Sequence, residues 1–303
     1  MSKKPEELSD NELLAELKRR FDQNKKTLDD LKHLNAELRL VNKKLEESEA
    51  LKSHFISNIT NEIINPFTSI LGLSRAILSV EKENWKKVIS MVALIHSEAF
   101  NLDFQFRNIF VAAKIEAGEI YPEIMLVDVN NLFESVLESF KYELRKKNLK
   151  VNYSYVVEGE VDNSVHFKTD PEKVKLIVAN LLSNAVNFSF EGNTIDVKAV
   201  RKLNELAISV KDYGIGISKE NHKIIFDRFK RLDSGINSLN RGHGLGLSVN
   251  KAIIDMLNGS IEIDSELGKG ACFTITIPEV DIEVDDIATD DNEMFFDNDT
   301  EIF

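Results

Sequence analysis

Two asparagines four residues apart, Asn180 and Asn184 in ANLLSNAVNF, share one face of a predicted helix. Amide oxygens at that spacing can hold a hard cation such as Mg²⁺ beside a polyphosphate without adding negative charge. Alone, the pair reads better as two exposed polar positions. A second box, DYGIGIS, sets Asp212 at a strand end ahead of Gly214 and Gly216. Its carboxylate can accept a hydrogen bond from an exocyclic amine such as that of adenine, and the glycines let the backbone turn tightly; a plain strand-to-helix turn uses the same residues. The third box, RGHGLGLSVNKAI, puts Gly242, Gly244 and Gly246 at the mouth of a helix, with His243 and Leu245 between them. Unpaired backbone N–H groups with no Cβ in the way make an anion site there. The alternating glycines match neither the Gly-Lys-Ser/Thr phosphate loop nor the dinucleotide fingerprint.

The elements that must position these boxes lie downstream of residue 121, where short strands and helices alternate. The pattern predicts strands at 124–127, 149–157, 165–168, 194–201, 206–211, 260–265 and 271–277, and helices at 129–147, 171–188 and 245–257. That is a mixed sheet covered by helices on one face, a two-layer α/β sandwich, with Pro278 ending the fold.

Upstream, residues 8–52 read as one helix, with Leu31, Leu34, Leu38, Val41 and Leu45 forming a heptad seam. Leu28, Leu31 and Leu34 are spaced three and three, a stammer that overwinds a coiled coil locally. A signalling helix and a plain dimerising coil both fit. From Trp85 through Val88, Val92, Ile95, Ala99, Leu102, Phe106, Ile109 and Ala113 the apolar steps alternate three and four. Paired with Ile56, Ile59, Ile63, Ile70, Leu73 and Ile77, they make a two-helix hairpin that closes at Gly118. Such a hairpin buries too little alone, so a homodimeric four-helix bundle is expected.

Eleven of the 51 acidic residues and none of the 38 basic ones lie after residue 278, so the net charge of −13 belongs to a tail and the rest is nearly neutral. No basic face argues for nucleic acid. The tail is predicted to be disordered, yet Met294, Phe295, Phe296, Ile302 and Phe303 give it the composition of a recognition peptide as well as of a solubilising extension. No apolar run is long enough for membrane insertion and no signal-peptide core opens the chain, which predicts a cytoplasmic protein. Cys272 has no partner for a disulfide and no zinc spacing around it.

The three boxes in this order, with IFDRF at 225–229 and GKGACFTI from Gly268, resemble the ATP-binding domain that sensor histidine kinases share with heat-shock-90-type chaperones and mismatch-repair and topoisomerase ATPases. The stretch KSHFISNITNEIINPFTSILGLSRAIL, residues 52–78, resembles the kinases' phosphoacceptor helix, whose pattern reads Ser-His-Glu-x-Arg-Thr-Pro-Leu; Asn61 stands where that pattern has its histidine. The resemblance implies ATP or ADP with Mg²⁺ as cofactors. It assigns Asp212 to adenine, Asn180 and Asn184 to Mg²⁺, and Gly242, Gly244 and Gly246 to the phosphates under a lid at 229–241. Arg228 would approach the γ-phosphate, and Asn187 occupies a position where the family often has a cation. Expected domains are a coiled-coil signalling helix (1–50), a dimerisation and phosphoacceptor-like hairpin (51–120), the ATP-binding domain (121–278) and an acidic tail (279–303).

An amide nitrogen has a delocalised lone pair and its oxygen is a poor nucleophile, so Asn61 cannot accept a phosphoryl group as imidazole does. Glu62, which in the resembled pattern orients that ring, has lost its partner. His54, two turns upstream, is a remote substitute. Asn65 matches a place where some family members orient a hydrolytic water, although it also simply precedes Pro66. Three readings follow: a pseudokinase binding a response-regulator receiver domain or a second histidine kinase; a response-regulator phosphatase or the catalytic half of a heterodimer; or an active kinase with its acceptor replaced. Ile64 and Asn187, which also depart from the pattern, favour natural divergence over a single replacement.

Overall fold

The computed structural model describes residues 10–80, 84–158, 166–227 and 244–281. The chain divides into two compact units, Met1–Ser57 and Asn58–Phe303. Helix α1 runs over Asp10–Leu78 and carries Pro66 in its interior. In the first unit its apolar side chains Leu17, Phe21, Leu28, Leu31, Leu34, Leu38, Val41 and Leu45 all stand exposed in the single chain. Their neighbours are charged, with pairs such as Glu16–Arg20 at 3.0 Å along the surface.

In the second unit, α2 spans Trp85–Ala117 and stops at Gly118, whose left-handed backbone (φ 68°) returns N–H groups to the last turn, as the sequence predicts. One side of α2 remains open, with Trp85, Ile89 and Val92 exposed. Another side packs on the sandwich. Ser97 donates to the Glu143 carboxylate, Phe100 and Phe104 meet Phe140 edge-on with centroids 5.2 and 6.2 Å apart, and Arg107 lies 3.8 Å from Glu172. The three-four series runs through the exposed Trp85 and Val92 and also through the buried Leu102; Ser97, Phe100 and Phe104, which meet Glu143 and Phe140, fall outside it.

The sandwich follows as β1 (Met125–Asp128), α3 (Val129–Ser139), α4 (Lys141–Lys146), β2 (Lys150–Val157), β3 (His166–Thr169), α5 (Pro171–Phe188), β4 (Thr194–Lys202), β5 (Glu205–Asp212), α6 (Gly246–Met256), β6 (Ser260–Glu266) and β7 (Gly270–Pro278). The main sheet has the order β2-β4-β5-β7-β6, with β2 and β4 parallel and every other neighbour antiparallel. Alternate residues Ile195, Val197 and Ala199 of β4, Leu206, Ile208 and Val210 of β5, and Phe273, Ile275 and Ile277 of β7 are buried, the period-two signature of a half-covered sheet. Helix α5 lays Val174, Ile177, Val178, Leu181, Leu182 and Ala185 into the core. Its start is set by Asp170, which accepts from the Lys173 N–H at 2.9 Å, and by Pro171 in the first turn. The other Asp170 oxygen accepts from the Glu123 N–H at 2.8 Å, pinning the segment that leaves α2.

Three sequence expectations are corrected. The helix at 129–147 is two helices, α3 and α4, that meet at Phe140 (φ −91°, ψ 0°), whose buried ring packs edge-on against Phe100 of α2. The single mixed sheet is two sheets, since β1 and β3 form their own antiparallel pair. Pro278 does not end the fold: the Glu279 N–H donates to Asn204 O at 2.8 Å and the Val280 N–H to Lys168 O at 3.2 Å, while the Lys168 N–H donates to the Glu279 carboxylate at 3.0 Å. Residues 282–303, where the recognition-peptide composition lies, are outside the described residues. Cys272 sits half-buried in β7, 3.4 Å from Ser209 Oγ.

Candidate functional site

Helices α5 and α6 meet through an amide ladder. Asn180, 2% exposed, donates from Nδ2 to Asn250 Oδ1 at 2.7 Å and to Gly246 O at 3.3 Å; Asn250, fully buried, donates onward to Ile177 O at 3.1 Å. With its nitrogen thus engaged, Asn180 Oδ1 is buried and has no hydrogen-bond partner among the described residues. A Cβ at Gly246 would come within 3.2 Å of that oxygen, so the orphan acceptor faces the start of α6. An unmet buried acceptor costs about 1–3 kcal/mol, and a hard cation is the kind of group that satisfies it. Asn184 lies one turn on, half-buried. The donor set therefore fits Mg²⁺. Asn250 was not singled out from the sequence; its place one turn after Gly246 in LSVNKAI was the available signal.

Asp212 ends β5 at 6% exposure. Burial pushes its carboxyl above the usual range, opposed by N–H donors from Gly214 and Ala271; the Gly214 bond is 2.9 Å. The turn after it is crowded. A Cβ at Gly214 would lie 2.0 Å from Phe188 O, and Gly216 adopts φ 66° with Glu266 O 2.0 Å from a built Cβ, so neither position accepts a side chain. The Ile215 N–H donates to Phe188 O at 3.3 Å, which joins the Asp212 turn to the end of α5.

At the third box, Gly244 has φ 67° and Gly246 is the first residue of α6. The N-cap residue, Leu245, makes no side-chain cap of its own, and the first N–H groups of a helix, which lack intrahelical partners, can face an anion. The Leu245 side chain is 1% exposed, so only its backbone can face a ligand. Gly242, His243, Arg228 and the expected lid at 229–241 lie outside the described residues. Asn187 is half-buried, with Nδ2 3.5 Å from Ser183 Oγ.

The boxes at Asn180, Asp212 and Gly246 are therefore brought together on the sandwich. The residues of the phosphoacceptor-like stretch belong to α1. Asn65 is exposed there; the side chains of Asn61 and Glu62 lie outside the described set. No described hydrogen bond joins Asn65 to the sandwich.

Residues 169–281 match a family described as histidine kinase-, DNA gyrase B-, and HSP90-like ATPase. The chain is 27% identical over 240 residues to the circadian input-output histidine kinase CikA of Synechococcus elongatus, covering 77% of this chain and 31% of that protein. It is 30% identical over 258 residues to the sensor protein GacS of Pseudomonas syringae pv. syringae, covering 84% of this chain and 28% of GacS. The chain thus spans about three tenths of the length of these curated relatives. Among solved structures, full-length ShkA in complex with AMPPNP is similar in fold, with a TM-score of 0.52 and 22% identity over 74% of this chain and 45% of ShkA. Among the described residues, no helix is long and apolar enough to cross a membrane.

Proposed function

We propose that this chain, which belongs to the histidine kinase family and carries its ATP-binding domain, binds ATP with Mg²⁺ and signals without phosphorylating itself at Asn61. The observation that carries the reading is the buried Asn180 Oδ1, without a hydrogen-bond partner among the described residues, facing the start of α6. Asn180 and Asn184 would hold the cation, which would offset phosphate charge when bound. Asp212 offers a carboxylate acceptor to the adenine amine, and the N–H groups at Gly244, Leu245 and Gly246 face the phosphates, with Gly242, His243, Arg228 and Asn187 as further contacts of the same site. ADP fits the same cradle. ShkA holds AMPPNP, in keeping with this use of the fold.

What the chain lacks is an acceptor, not a nucleotide site. Asn61 has no nucleophilic ring nitrogen, so Glu62 has no imidazole to orient. A homodimer through α1 and α2, as coiled coil and four-helix bundle, would cover the apolar residues that one chain leaves open. Its partners are then a receiver domain or a second histidine kinase. Exposed Asn65 favours a second reading, hydrolysis of an aspartyl phosphate on a bound receiver, in which the amide positions water. Incubation with radiolabelled ATP tests the main reading. Wild type is expected to stay unlabelled, and Asn61→His to gain a base-stable, acid-labile label. A base-stable, acid-labile label on the wild-type chain would contradict the acceptor-minus assignment.

A further inference from the structure

A side-chain amide has a direction, because its oxygen only accepts hydrogen bonds and its nitrogen only donates them. Between α5 and α6 the backbone sets that direction. Ile177 O can only accept, and it takes Asn250 Nδ2 at 3.1 Å, which leaves Asn250 Oδ1 for Asn180. That oxygen accepts from Asn180 Nδ2 at 2.7 Å, and Gly246 O accepts from the same nitrogen at 3.3 Å. Both protons of the Asn180 amide are thus engaged. Its Oδ1 remains, buried and without a hydrogen-bond partner among the described residues. Asn180 is 2% exposed and Asn250 0%, so these bonds rather than solvent orient the two amides.

The ladder spans both helices, since Ile177 and Asn180 belong to α5 and Gly246 and Asn250 to α6. Turned the other way, Asn180 would set its own oxygen against Asn250 Oδ1 and aim N–H hydrogens, which cannot ligate a cation, at the start of α6. We propose that Asn250 is a positioning residue of the nucleotide site: it relays the polarity of the Ile177 carbonyl to Asn180 and keeps Asn180 Oδ1, the cation ligand, facing the cation. The inference rests on the ATP and Mg²⁺ reading above. It concerns the Mg²⁺ gain, the ratio of ATP affinity with Mg²⁺ to ATP affinity with chelator. The base acceptor at Asp212 and the backbone N–H groups at Gly244, Leu245 and Gly246 do not depend on which way the Asn180 amide faces.

The test titrates ATP, with Mg²⁺ and with chelator, into the full chain and its Asn250→Leu, Asn250→Ala and Asn250→Asp variants, with thermal melts alongside. Asn250→Leu fills the place between the helices but removes the acceptor for Asn180 Nδ2. It is expected to cut the Mg²⁺ gain about tenfold, as for one hydrogen bond, while ATP affinity in chelator changes less than about twofold. Asn250→Asp offers Asn180 an oxygen again and, kept protonated by burial, a donor for Ile177 O; it should restore the gain. Asn180→Asp carries an oxygen on both arms, so its Mg²⁺ gain should be the same with and without Asn250→Leu. A loss that is equal with and without Mg²⁺, or no loss, overturns the proposal and leaves Asn250 a packing residue only. So does a gain that Asn250→Leu still cuts in the Asn180→Asp chain. If Asn250→Leu does not fold, Asn250→Ala takes its place; if neither folds, Asn250→Asp decides, and loss of the gain there overturns the proposal. A wild-type chain that binds ATP equally well with and without Mg²⁺, or not at all, overturns the ATP and Mg²⁺ reading itself and this inference with it.

Discussion

Helices α2 and α5 are both amphipathic, yet only α5 finds its core within one chain. On α5, Ile177 and Leu182 are wholly buried; on α2, Trp85, Ile89 and Val92 are 69%, 65% and 51% exposed. The difference is one of partners rather than of pattern. The sheet gives α5 an apolar face to cover, whereas one side of α2 stays open in the single chain and is the side that the proposed homodimer would cover. Where the sandwich is complete in itself, stability and ligand binding should respond to substitution in the single chain. Along α1 and α2, substitution should change association first.

The largest effect is expected from Phe133→Ala, because Phe133 is fully buried in the sandwich; a loss of about 3–5 kcal/mol should appear in denaturant melts. Next, Gly214→Ala drives a Cβ to 2.0 Å from Phe188 O and should cost about 1–3 kcal/mol together with nucleotide binding, measured by melting and titration of the same variant. Asp212→Asn should separate stability from function. The buried Asp212 carboxyl titrates above its usual value; its contribution is fully present below about pH 4 and is lost as pH rises through the folded-state value. The Asn variant should therefore melt higher than wild type by a margin that grows from acid to neutral pH, while adenine nucleotide affinity falls at least about tenfold. The smallest effect on the sandwich belongs to Val92→Glu, within about 0.5 kcal/mol in its melt. That variant should still shift the light-scattering mass from dimer to monomer; an unchanged mass would blur the contrast between the two regions.

Element positions on the sandwich were legible because its signals are local. Asp170 and Pro171 announce α5, and alternation marks β4, β5 and β7. Less legible were features that depend on distant groups. Nothing near Phe140 in sequence signals the junction of α3 and α4, where its ring meets Phe100 and Phe104 of α2. The pairing of β1 with β3 and the anchoring of Glu279 and Val280 depend on residues more than thirty positions away. Within the site, the glycine and asparagine boxes could be read directly. Asn250 could not, because a buried amide reveals its role only through Asn180 and Ile177.

Calorimetric titration of the wild-type chain with ATP, in the presence of Mg²⁺ and again with chelator, tests the central claim most directly. Saturable one-to-one binding per chain that weakens when Mg²⁺ is removed, and weakens further in Asn180→Ala, is the predicted result. Absence of binding by a chain that melts cooperatively would contradict it.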